Sequence, residues 1–211
     1  MALAVEIPLP EDAPRRNQTA LAGFVERAAA GDKAAFEQIM IHSQQRVLTL
    51  SWRMLGSEAD ARDASQEVFL RVYKYLGRFK QDQDFFAWLY SITVNVCRDI
   101  LKKRQLQTNR FISFSGELEE ETLRIPADQQ DAEQAAMQAQ QCEMISRAIA
   151  TLPSKERASI LLRDVEGLST EEVARILKSS STTVRSQISS ARRKIRDYCR
   201  TYLKVEQADE L

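Results

Sequence analysis

The sequence predicts an all-α fold in which two small helical domains are joined by an acidic linker. The 211 residues include only six glycines and five prolines, and strand-like alternation of polar and apolar residues is scarce. The segment from Phe111 to Glu143 contains eight acidic residues and one basic residue, and such runs are usually solvated rather than packed into a core. A chain of this length can form two small domains with cores of their own.

The composition excludes several kinds of site. Apolar residues make up 44% and charged residues 28% of the chain, and the formal net charge is zero. Only the distribution of charge can therefore indicate a nucleic-acid partner. The cysteines Cys97, Cys142 and Cys199 form no CxxC pair, and His42 is the sole histidine in the sequence. We therefore expect no disulfide framework, no metal site and no cofactor.

The sequence contains no signal for membrane insertion. No apolar run is long enough to cross a membrane, and the N-terminus lacks the basic-then-apolar order of a signal peptide. A reducing cytoplasm is the expected location. We divide the chain into a disordered tail, a first domain, an acidic linker, a second domain and a short tail. These five segments correspond to residues 1–18, 19–110, 111–142, 143–204 and 205–211.

The first domain is predicted to begin with two helices. The first helix runs from Leu21 to Ala30 and ends at Gly31. Asp32 is a good N-cap for a long second helix, Lys33 to Leu55, whose apolar residues recur at three-, four- and seven-residue steps. His42 lies inside this helix without a second cluster of ligand-type residues, so we expect a partly exposed histidine rather than a metal ligand.

The third helix follows a break at Gly56 and Ser57 and has a buried stripe and a charged face. The predicted buried stripe consists of Val68, Phe69, Val72 and Leu76. The residues largely off this stripe are Asp60, Asp63, Gln66, Glu67 and Arg71. Charged helix faces are usually just solvated, so spacing alone assigns no role to this one.

The fourth helix combines an aromatic cluster with a polar stripe, and a short polar loop from Lys80 to Asp84 precedes it. At 100° per residue, one side contains Phe85, Trp88, Leu89, Ile92, Val96 and Ile100, and Phe86 and Tyr90 flank that side. We therefore expect Trp88 in the core rather than stacked on a nucleic-acid base. The far side contains Ser91, Asn95, Arg98 and Lys102, and its growing positive charge suits a DNA backbone or groove.

The second domain is predicted to consist of short helices that form a helix-turn-helix. The stretch from Asp128 to Gln141 is rich in helix formers and favours a helix that runs into this domain. Ser169 and Glu172 form a capping box, Lys178 to Ser180 turns the chain, and a final helix begins at about Ser181. The outward side of that helix contains Thr182, Arg185, Ser186, Ser189, Arg192 and Arg193. This basic second helix predicts DNA reading.

With these residues in view, the chain resembles the extracytoplasmic-function (ECF) sigma factors of bacterial RNA polymerase. Four stretches match the family: AAFEQIMIHSQQRVLTLSWRMLG, DARDASQEVFLRVYKYL, RFKQDQDFFAWLYSITVNVCRDILKKR and LPSKERASILLRDVEGLSTEEVARILKSSSTTVRSQISSARRKIRDY. They cover nearly everything except the tail and the linker. Two runs are specific in combination, whereas either alone is only suggestive: Phe85-x-x-Trp88-Leu89-Tyr90-x-Ile92-x-x-Asn95 and Glu166-Gly167-Leu168-Ser169-x-Glu171-Glu172-Val173-Ala174.

The resemblance implies that the two domains correspond to sigma regions 2 and 4 and assigns a role to each. Binding to the β and β′ subunits of core RNA polymerase would use Asp60, Asp63, Gln66, Glu67, Phe69 and Arg71. Recognition and melting of −10 promoter DNA would use Lys80, Gln81, Asp82, Gln83, Asn95, Arg98 and Lys102. Reading of the −35 element would use Thr182, Arg185, Ser186, Ser189, Arg192 and Arg193. The resemblance also implies an anti-sigma factor as a partner.

Some positions depart from the family pattern. The loop from Lys80 to Asp84 lacks the glycine that is common in the base-capture loop of the family, and its two acids repel phosphate. Lys178 stands where the family often has glycine, so it must avoid or tolerate a left-handed conformation. Gln187 stands where a basic residue is frequent. Ser189 and Ser190 replace larger side chains. Because these small polar residues contribute fewer phosphate contacts, we expect modest affinity for −35 DNA.

The sequence leaves three functions to be distinguished. The leading prediction is a dissociable promoter-specificity subunit that is not an enzyme. The sequence shows no paired nucleophile and base, no metal cluster and no glycine-rich phosphate loop. The alternative is an autonomous helix-turn-helix transcriptional regulator that uses the first domain as a sensor. A third hypothesis is a polymerase-binding protein of the anti-sigma kind that makes no DNA contacts.

Overall fold

The computed structural model describes residues 16–80, 83–110 and 132–209, and every regular element in these ranges is helical. The α-helices in the described ranges are α1 (Arg16–Ala29), α2 (Lys33–Leu55), α3 (Glu58–Tyr75), α4 (Phe85–Arg110), α5 (Ala132–Ala150), α6 (Ser154–Ile160), α7 (Thr170–Leu177) and α8 (Ser181–Asp209). A 3₁₀ turn, Leu76–Arg78, follows α3, and a π-helical turn, Leu161–Val165, follows α6. The predicted all-α fold class is confirmed.

In the first domain, α2 is the central helix and packs against α1, α3 and α4. Its inward face is fully buried and includes Ile39, Val47 and Leu50. Val68 from α3 and Leu89 from α4 are also fully buried and complete this core. Each fully buried aliphatic side chain contributes about 1.5–3 kcal/mol relative to an exposed one, so these positions fix the arrangement of the helices.

Local signals in the sequence set the helix ends of the first domain. Asp32 Oδ1 accepts a hydrogen bond from the Ala35 N–H at 3.1 Å and caps α2 as predicted. Gly56 ends α2 with a φ of 71°, a left-handed conformation that glycine adopts without strain. Ser57 then caps α3 by accepting a hydrogen bond from the Asp60 N–H at 3.3 Å. Because the connections are short, α2 and α3 lie side by side.

The terminal helices extend beyond the limits predicted from the sequence. The helix α1 begins at Arg16, inside the segment that we assigned to the N-terminal tail, and α8 continues to Asp209, inside the predicted C-terminal tail. Neither extension contains a proline or glycine that would interrupt a helix. The helix α5 begins at Ala132, within the predicted linker, whereas Asp128 lies outside the described residues.

The buried side of α4 contains other aromatic residues than predicted. Phe86 and Tyr90 were predicted to flank the core side, yet they are only 4% and 2% exposed. Phe85 and Trp88, the expected core aromatics, are half-buried and pack against the edge of the core. Arg46 of α2 lies over the Phe86 ring, and Tyr90 contacts Glu166 of the second domain, which packs on α4 through α7. Sequence periodicity cannot reveal this second neighbour.

The second domain folds around α8, which packs against α5, α6 and α7. Ser169 and Glu172 form the predicted capping box at the start of α7. Lys178 ends this helix in a left-handed conformation with a φ of 50°, at the position where glycine would be free of strain. Together α7, this turn and α8 form the predicted helix-turn-helix.

The two domains pack directly against each other. In addition to the contact between α4 and α7, the C-terminal half of the chain contacts α2 through α5 and α6. Buried side chains from both halves belong to one continuous hydrophobic core. The sequence predicted two domains connected by a linker, and it contained no signal for this interface.

Candidate nucleic-acid and protein interfaces

The residues predicted to read −35 DNA lie on one exposed face of α8. The inward face of the same helix is buried through Val184, Ile188, Ala191 and Ile195, which follow the helical period. The exposed residues on this helix include all six that were predicted: Thr182, Arg185, Ser186, Ser189, Arg192 and Arg193. The structure therefore presents these polar and basic side chains to a partner without any rearrangement of the helix.

Acidic residues of the second domain contact two arginines of this face, and only one contact is tight. Arg192 donates two hydrogen bonds to the carboxylate of Asp164, at 2.8 Å and 2.7 Å, and these bonds raise the pKa of Arg192. Arg185 lies 3.4 Å from Glu171 Oε1, and both side chains are exposed. A bidentate pair fixes the plane of the Arg192 guanidinium, whereas the long Arg185 contact leaves that side chain free to move.

A groove of about 450 Å³ follows this face. The residues that line it are Arg163, Thr170, Arg185, Ile188, Ser189, Arg192 and Arg196. Arg163 and Arg196 were not among the predicted residues, although Arg196 lies one helical turn after Arg192 and spacing alone would have identified it. Arg163 comes from the π-helical turn, whose Asp164 pairs with Arg192 of α8, so only the tertiary structure brings Arg163 to the groove.

Two polar residues of α8 face inward and attach this helix to α6. The Ser159 hydroxyl donates to Gln187 Oε1 at 2.7 Å, and the Ser190 hydroxyl donates to Glu156 at 3.2 Å. Lys194 pairs with the same glutamate at 2.9 Å. The glutamine that replaces a frequent basic residue thus has a structural contact inside the domain.

The residues predicted to hold −10 DNA lie in two places. Lys80 and Gln83 are exposed in the loop before α4, whereas Gln81 and Asp82 lie outside the described residues. On α4, Asn95 and Lys102 are exposed and Arg98 is half-buried.

Asp84, the acid at the end of that loop, caps the start of α4. Asp84 Oδ1 accepts a hydrogen bond from the Ala87 N–H at 2.7 Å, which is the geometry of an N-cap. Its negative charge lies at the N-terminal end of α4, where the helix dipole favours an anion. This carboxylate therefore begins the helix that carries the polar stripe.

The polar stripe of α4 borders a cleft between the domains. Arg98 and Lys102 line a cavity of about 350 Å³ together with Ser154 and Arg157 from the second domain. Among the residues that the structure describes, Arg98 has no hydrogen-bond or ion-pair partner, and burial lowers its pKa. An uncompensated guanidinium in a cleft favours an anionic ligand such as phosphate.

The charged face of α3 is mostly engaged in ion pairs. Asp60 pairs with Arg104 of α4, and Arg71 contacts Glu67 at 2.7 Å and Asp99 at 3.3 Å. Asp63 and Gln66 are exposed.

Phe69 received two assignments from the sequence. It was assigned both to the buried stripe and to the polymerase contacts, and at 8% exposure it belongs to the stripe. The helix α3 packs against both α2 and α4, so the side on which Phe69 lies is covered. The assignment of Phe69 to the polymerase contacts stays a prediction.

Exposed apolar residues lie next to this charged face, and they were not among the predicted contact residues. Leu70 is 65% and Tyr73 is 57% exposed on α3, and Ile41 of α2 is 53% exposed. The Tyr73 ring packs edge-on against Phe36 at 5.0 Å between ring centroids. Gln66, Leu70 and Tyr73 recur at steps of four and three residues, so spacing would have shown that they share a face.

The described residues contain no group of histidine, cysteine or acidic side chains that could hold a metal ion. No helix among them is both long and apolar enough to span a bilayer. Cys97 is fully buried, and burial raises the pKa of its thiol to about 11. A thiol with so high a pKa is rarely ionised at neutral pH and is therefore a poor nucleophile.

Two family descriptions match the two domains. The description "Sigma-70 region 2" matches residues 40–107, and the description "Sigma-70, region 4" matches residues 142–195. The first range contains α3 and the polar stripe of α4, and the second contains the helix-turn-helix.

Curated relatives and a solved structure are similar over most of the chain. The RNA polymerase sigma-H factor of Pseudomonas aeruginosa is 31% identical over 174 residues, which cover 82% of this chain and 90% of the relative. The ECF RNA polymerase sigma-E factor of Escherichia coli is 32% identical over 182 residues, with the same two coverages. The fold is similar to that of a sigma factor from Bartonella quintana that was solved with the anti-sigma factor NepR. That comparison has a TM-score of 0.62 and 19% identity, and it covers 78% of this chain and 96% of the other.

Proposed function

The chain belongs to the ECF family of RNA polymerase sigma factors, and we propose that it binds core RNA polymerase and directs promoter-specific initiation of transcription. The observation that carries this proposal is the exposed basic face of α8, which lies in a helix-turn-helix within the range that matches sigma region 4. This arrangement favours a sigma factor over a polymerase-binding protein without DNA contacts, because such a protein has no use for a DNA-reading helix.

The helix α8 enters the major groove of the −35 element. Arg185, Ser186 and Ser189 then face the base edges, and Arg192 and Arg193 face the flanking phosphates. The Asp164 carboxylate keeps the Arg192 guanidinium in one plane before DNA arrives, which lowers the entropy cost of binding. Arg163 and Arg196 extend the positive surface along the same groove.

The first domain melts the −10 element and holds the displaced strand. Melting requires a few kcal/mol of unstacking, and capture of one or two bases beside the loop at Lys80 and Gln83 repays that cost. Asn95, Arg98 and Lys102 then contact the backbone of the opened strand. The absence of an acidic partner for Arg98 among the described residues supports this assignment, because a phosphate would supply the missing negative charge.

Core polymerase docks on the exposed side of α3. The contact surface includes the predicted residues Asp63 and Gln66, and we add Leu70 and Tyr73, which lie on the same side. Large apolar side chains at the centre with polar residues around them are typical of protein interfaces. Asp60, Glu67 and Arg71 act at the rim, where ion pairs influence the rate of association more than the affinity.

The protein acts as a subunit without a reaction of its own, in the cytoplasm where bacterial polymerase works. An anti-sigma factor is a further partner, since the similar sigma factor of Bartonella quintana was solved with one. The zero net charge of the chain fits a protein that binds DNA strongly only as part of the holoenzyme.

The decisive experiment is run-off transcription from a promoter library with core RNA polymerase in the presence and absence of the purified chain. We expect transcripts only when both are present, and the enriched promoters give the −35 and −10 sequences. A gel shift with the same promoters separates the alternatives. Tight sequence-specific binding by the chain without core polymerase would indicate an autonomous regulator and would overturn the proposal.

A further inference from the structure

The end of α3 and the turn after it carry exposed cations that no acidic residue neutralises. The segment from Tyr73 to Lys80 contains three basic residues, Lys74, Arg78 and Lys80, and no acidic one. All three side chains are exposed. Among the residues that the structure describes, none of the three has an ion pair or a side-chain hydrogen bond. This end of the first domain therefore has positive charge without an internal partner.

The arginines in the middle of the same helix are different, because each has an acid one turn before it. Arg62 pairs with Glu58, and Arg71 contacts Glu67 at 2.7 Å. Such pairs four residues apart neutralise the surface of a helix. The sequence supplies these acids along α3 and omits them at its end. Unpaired cations that are grouped on one surface attract an anionic partner such as a chain of phosphates.

An exposed aromatic ring lies among these cations. Tyr75 is 39% exposed, and Lys74 Nζ lies over its ring at 5.6 Å from the centroid. Tyr75 directly precedes the 3₁₀ turn that contains Arg78, and residues three apart in such a turn lie directly above one another. The ring and the guanidinium therefore share one side. An aromatic face with cations beside it is what proteins use to hold single-stranded nucleic acid.

Phe79 orients the cations on either side of it. Its backbone is extended, with a φ of −67° and a ψ of 130°. Its ring packs against Phe85 at 5.8 Å and Trp88 at 5.1 Å between ring centroids. Because side chains alternate along an extended backbone, Arg78 and Lys80 point away from this aromatic cluster. The inward ring thus fixes both cations on the solvent side of the segment.

The Tyr75 ring borders the residues that are predicted to hold the opened strand. Arg71 lies one turn before Tyr75 on the same side of α3 and contacts Asp99 of α4 at 3.3 Å. Asp99 in turn lies one turn after Asn95 of the polar stripe. In the other direction, the 3₁₀ turn and two further residues separate Tyr75 from Lys80, a span of at most about 13 Å. The ring is therefore close to both parts of the predicted −10 surface.

This ring is separate from the surface that we assign to core polymerase. Gln66, Leu70 and Tyr73 share one side of α3, and Tyr75 lies two residues after Tyr73. Two residues correspond to about 200° around a helix, so the two tyrosines point in nearly opposite directions. Core polymerase and a DNA strand can therefore occupy the two sides at the same time.

We propose that Tyr75 is a stacking platform for an unpaired base of the opened promoter strand, next to the base that the loop captures. The base replaces the Lys74 ammonium over the ring, and Lys74 then pairs with a phosphate of the strand. Arg78 and Lys80 hold neighbouring phosphates and offset the two acids of the loop. This inference rests on the proposed function, because an opened strand exists only where a promoter is melted.

The test measures binding of the holoenzyme to a promoter from the run-off library whose −10 region is unpaired by mismatches. In separate probes, one base of the unpaired non-template strand is removed while its sugar and phosphate are kept. For the wild type, we expect one abasic position beside the captured base to weaken binding about tenfold, as the loss of one stacked base does. Tyr75→Ala should bind the intact probe about tenfold more weakly and should be insensitive to removal of that base.

Matched variants separate the ring and the charge from general effects. Tyr75→Phe keeps the ring and should behave as the wild type. Leu106→Ala removes another exposed apolar side chain of the first domain and should leave the abasic pattern unchanged. Arg78→Gln should lower the slope of log affinity against log salt concentration by about 0.7, the value for one phosphate of a single strand. Arg62→Gln should leave that slope unchanged, because Arg62 is already paired.

The outcomes separate the stacking role from the proposed function. Circular dichroism and thermal unfolding establish that each variant is folded, and Tyr75→Leu, which has no ring, replaces Tyr75→Ala if the latter unfolds. If removal of every base weakens binding of the folded variant and the wild type by the same factor, the stacking role is refuted, even when the wild-type holoenzyme transcribes. Weaker binding of Tyr75→Ala to core polymerase without DNA would also refute it, since the ring would then belong to the protein interface. If the wild-type holoenzyme gives no promoter-specific run-off, the proposed function fails and this inference fails with it.

Discussion

The functional faces of the two domains differ in how much they depend on packing between helices. In the second domain, every residue predicted to read DNA is exposed on the single helix α8. In the first domain, the predicted residues range from exposed Asp63 through half-buried Arg98 to buried Phe69. A face that belongs to one helix with one buried side can be derived from the helical period. A face that lies between several helices depends on neighbours that are distant in sequence.

The sharpest test of this difference is a pair of adjacent residues on α3. Phe69→Ala should lower the free energy of unfolding by about 3–5 kcal/mol, because it leaves a cavity in the core. Leu70→Ala should change it by no more than about 0.5 kcal/mol, because Leu70 is mostly exposed. Urea unfolding measures both values.

Core binding by the same pair tests the revised docking surface. Leu70→Ala should weaken binding to core polymerase about tenfold, as truncation of a central apolar contact does. Competition for core against a labelled sigma factor measures this affinity. A Phe69→Ala variant with wild-type stability and lost core binding would instead identify Phe69 as a contact residue.

In the second domain, the double variant Arg185→Ala, Arg192→Ala should lower −35-dependent run-off roughly 100-fold, since each lost contact to DNA costs about 1–3 kcal/mol. Core binding should be retained, because α8 does not take part in the docking surface. Arg200→Ala, an exposed arginine of the same helix outside the groove, is the control. Unchanged transcription by the double variant would show that this face does not read −35 DNA.

Loss of the Arg98 charge in the cleft between the domains should affect promoter opening and protein stability differently. Arg98→Gln should lower the rate of promoter opening about fivefold, because one phosphate contact is lost. The stability of the free protein should not fall and should rise by at most about 1 kcal/mol, because the charge is uncompensated but still partly hydrated. Lys103→Gln, at an exposed position outside the cleft, should change neither quantity. A clear loss of stability in Arg98→Gln would mean that its charge has a partner within the protein.

The smallest expected effect concerns the turn of the helix-turn-helix. Lys178→Gly should raise the free energy of unfolding by about 0.5–1 kcal/mol, because glycine adopts the observed φ of 50° without strain. Lys178→Ala cannot relieve that strain and should show no gain. Thermal unfolding of the two variants compares them directly, and equal stabilities would exclude backbone strain at this position.

Much of the site could be predicted because its signals are local. The capping box of Ser169 and Glu172 fixes the start of α7, and the period of Val184, Ile188 and Ala191 fixes which side of α8 is outward. Arg163 and Leu70 escaped prediction for different reasons. Leu70 lies at helical spacing from Gln66 and Tyr73, so the sequence contained a signal for this exposed face. Arg163 has no such signal, because it reaches the groove only through the packing of the π-helical turn.

The sequence by itself determined the helical class, most helix ends and the DNA-facing side of α8, since each depends on residues within a few positions of one another. Only the tertiary structure decided that Tyr90 and Phe86 are buried, because Tyr90 contacts Glu166 of the second domain and Phe86 lies under Arg46 of α2. The same holds for the contact of Tyr90 with Glu166, which are 76 residues apart. A helical period identifies a buried side but not the element that covers it, because that element can be distant in the sequence.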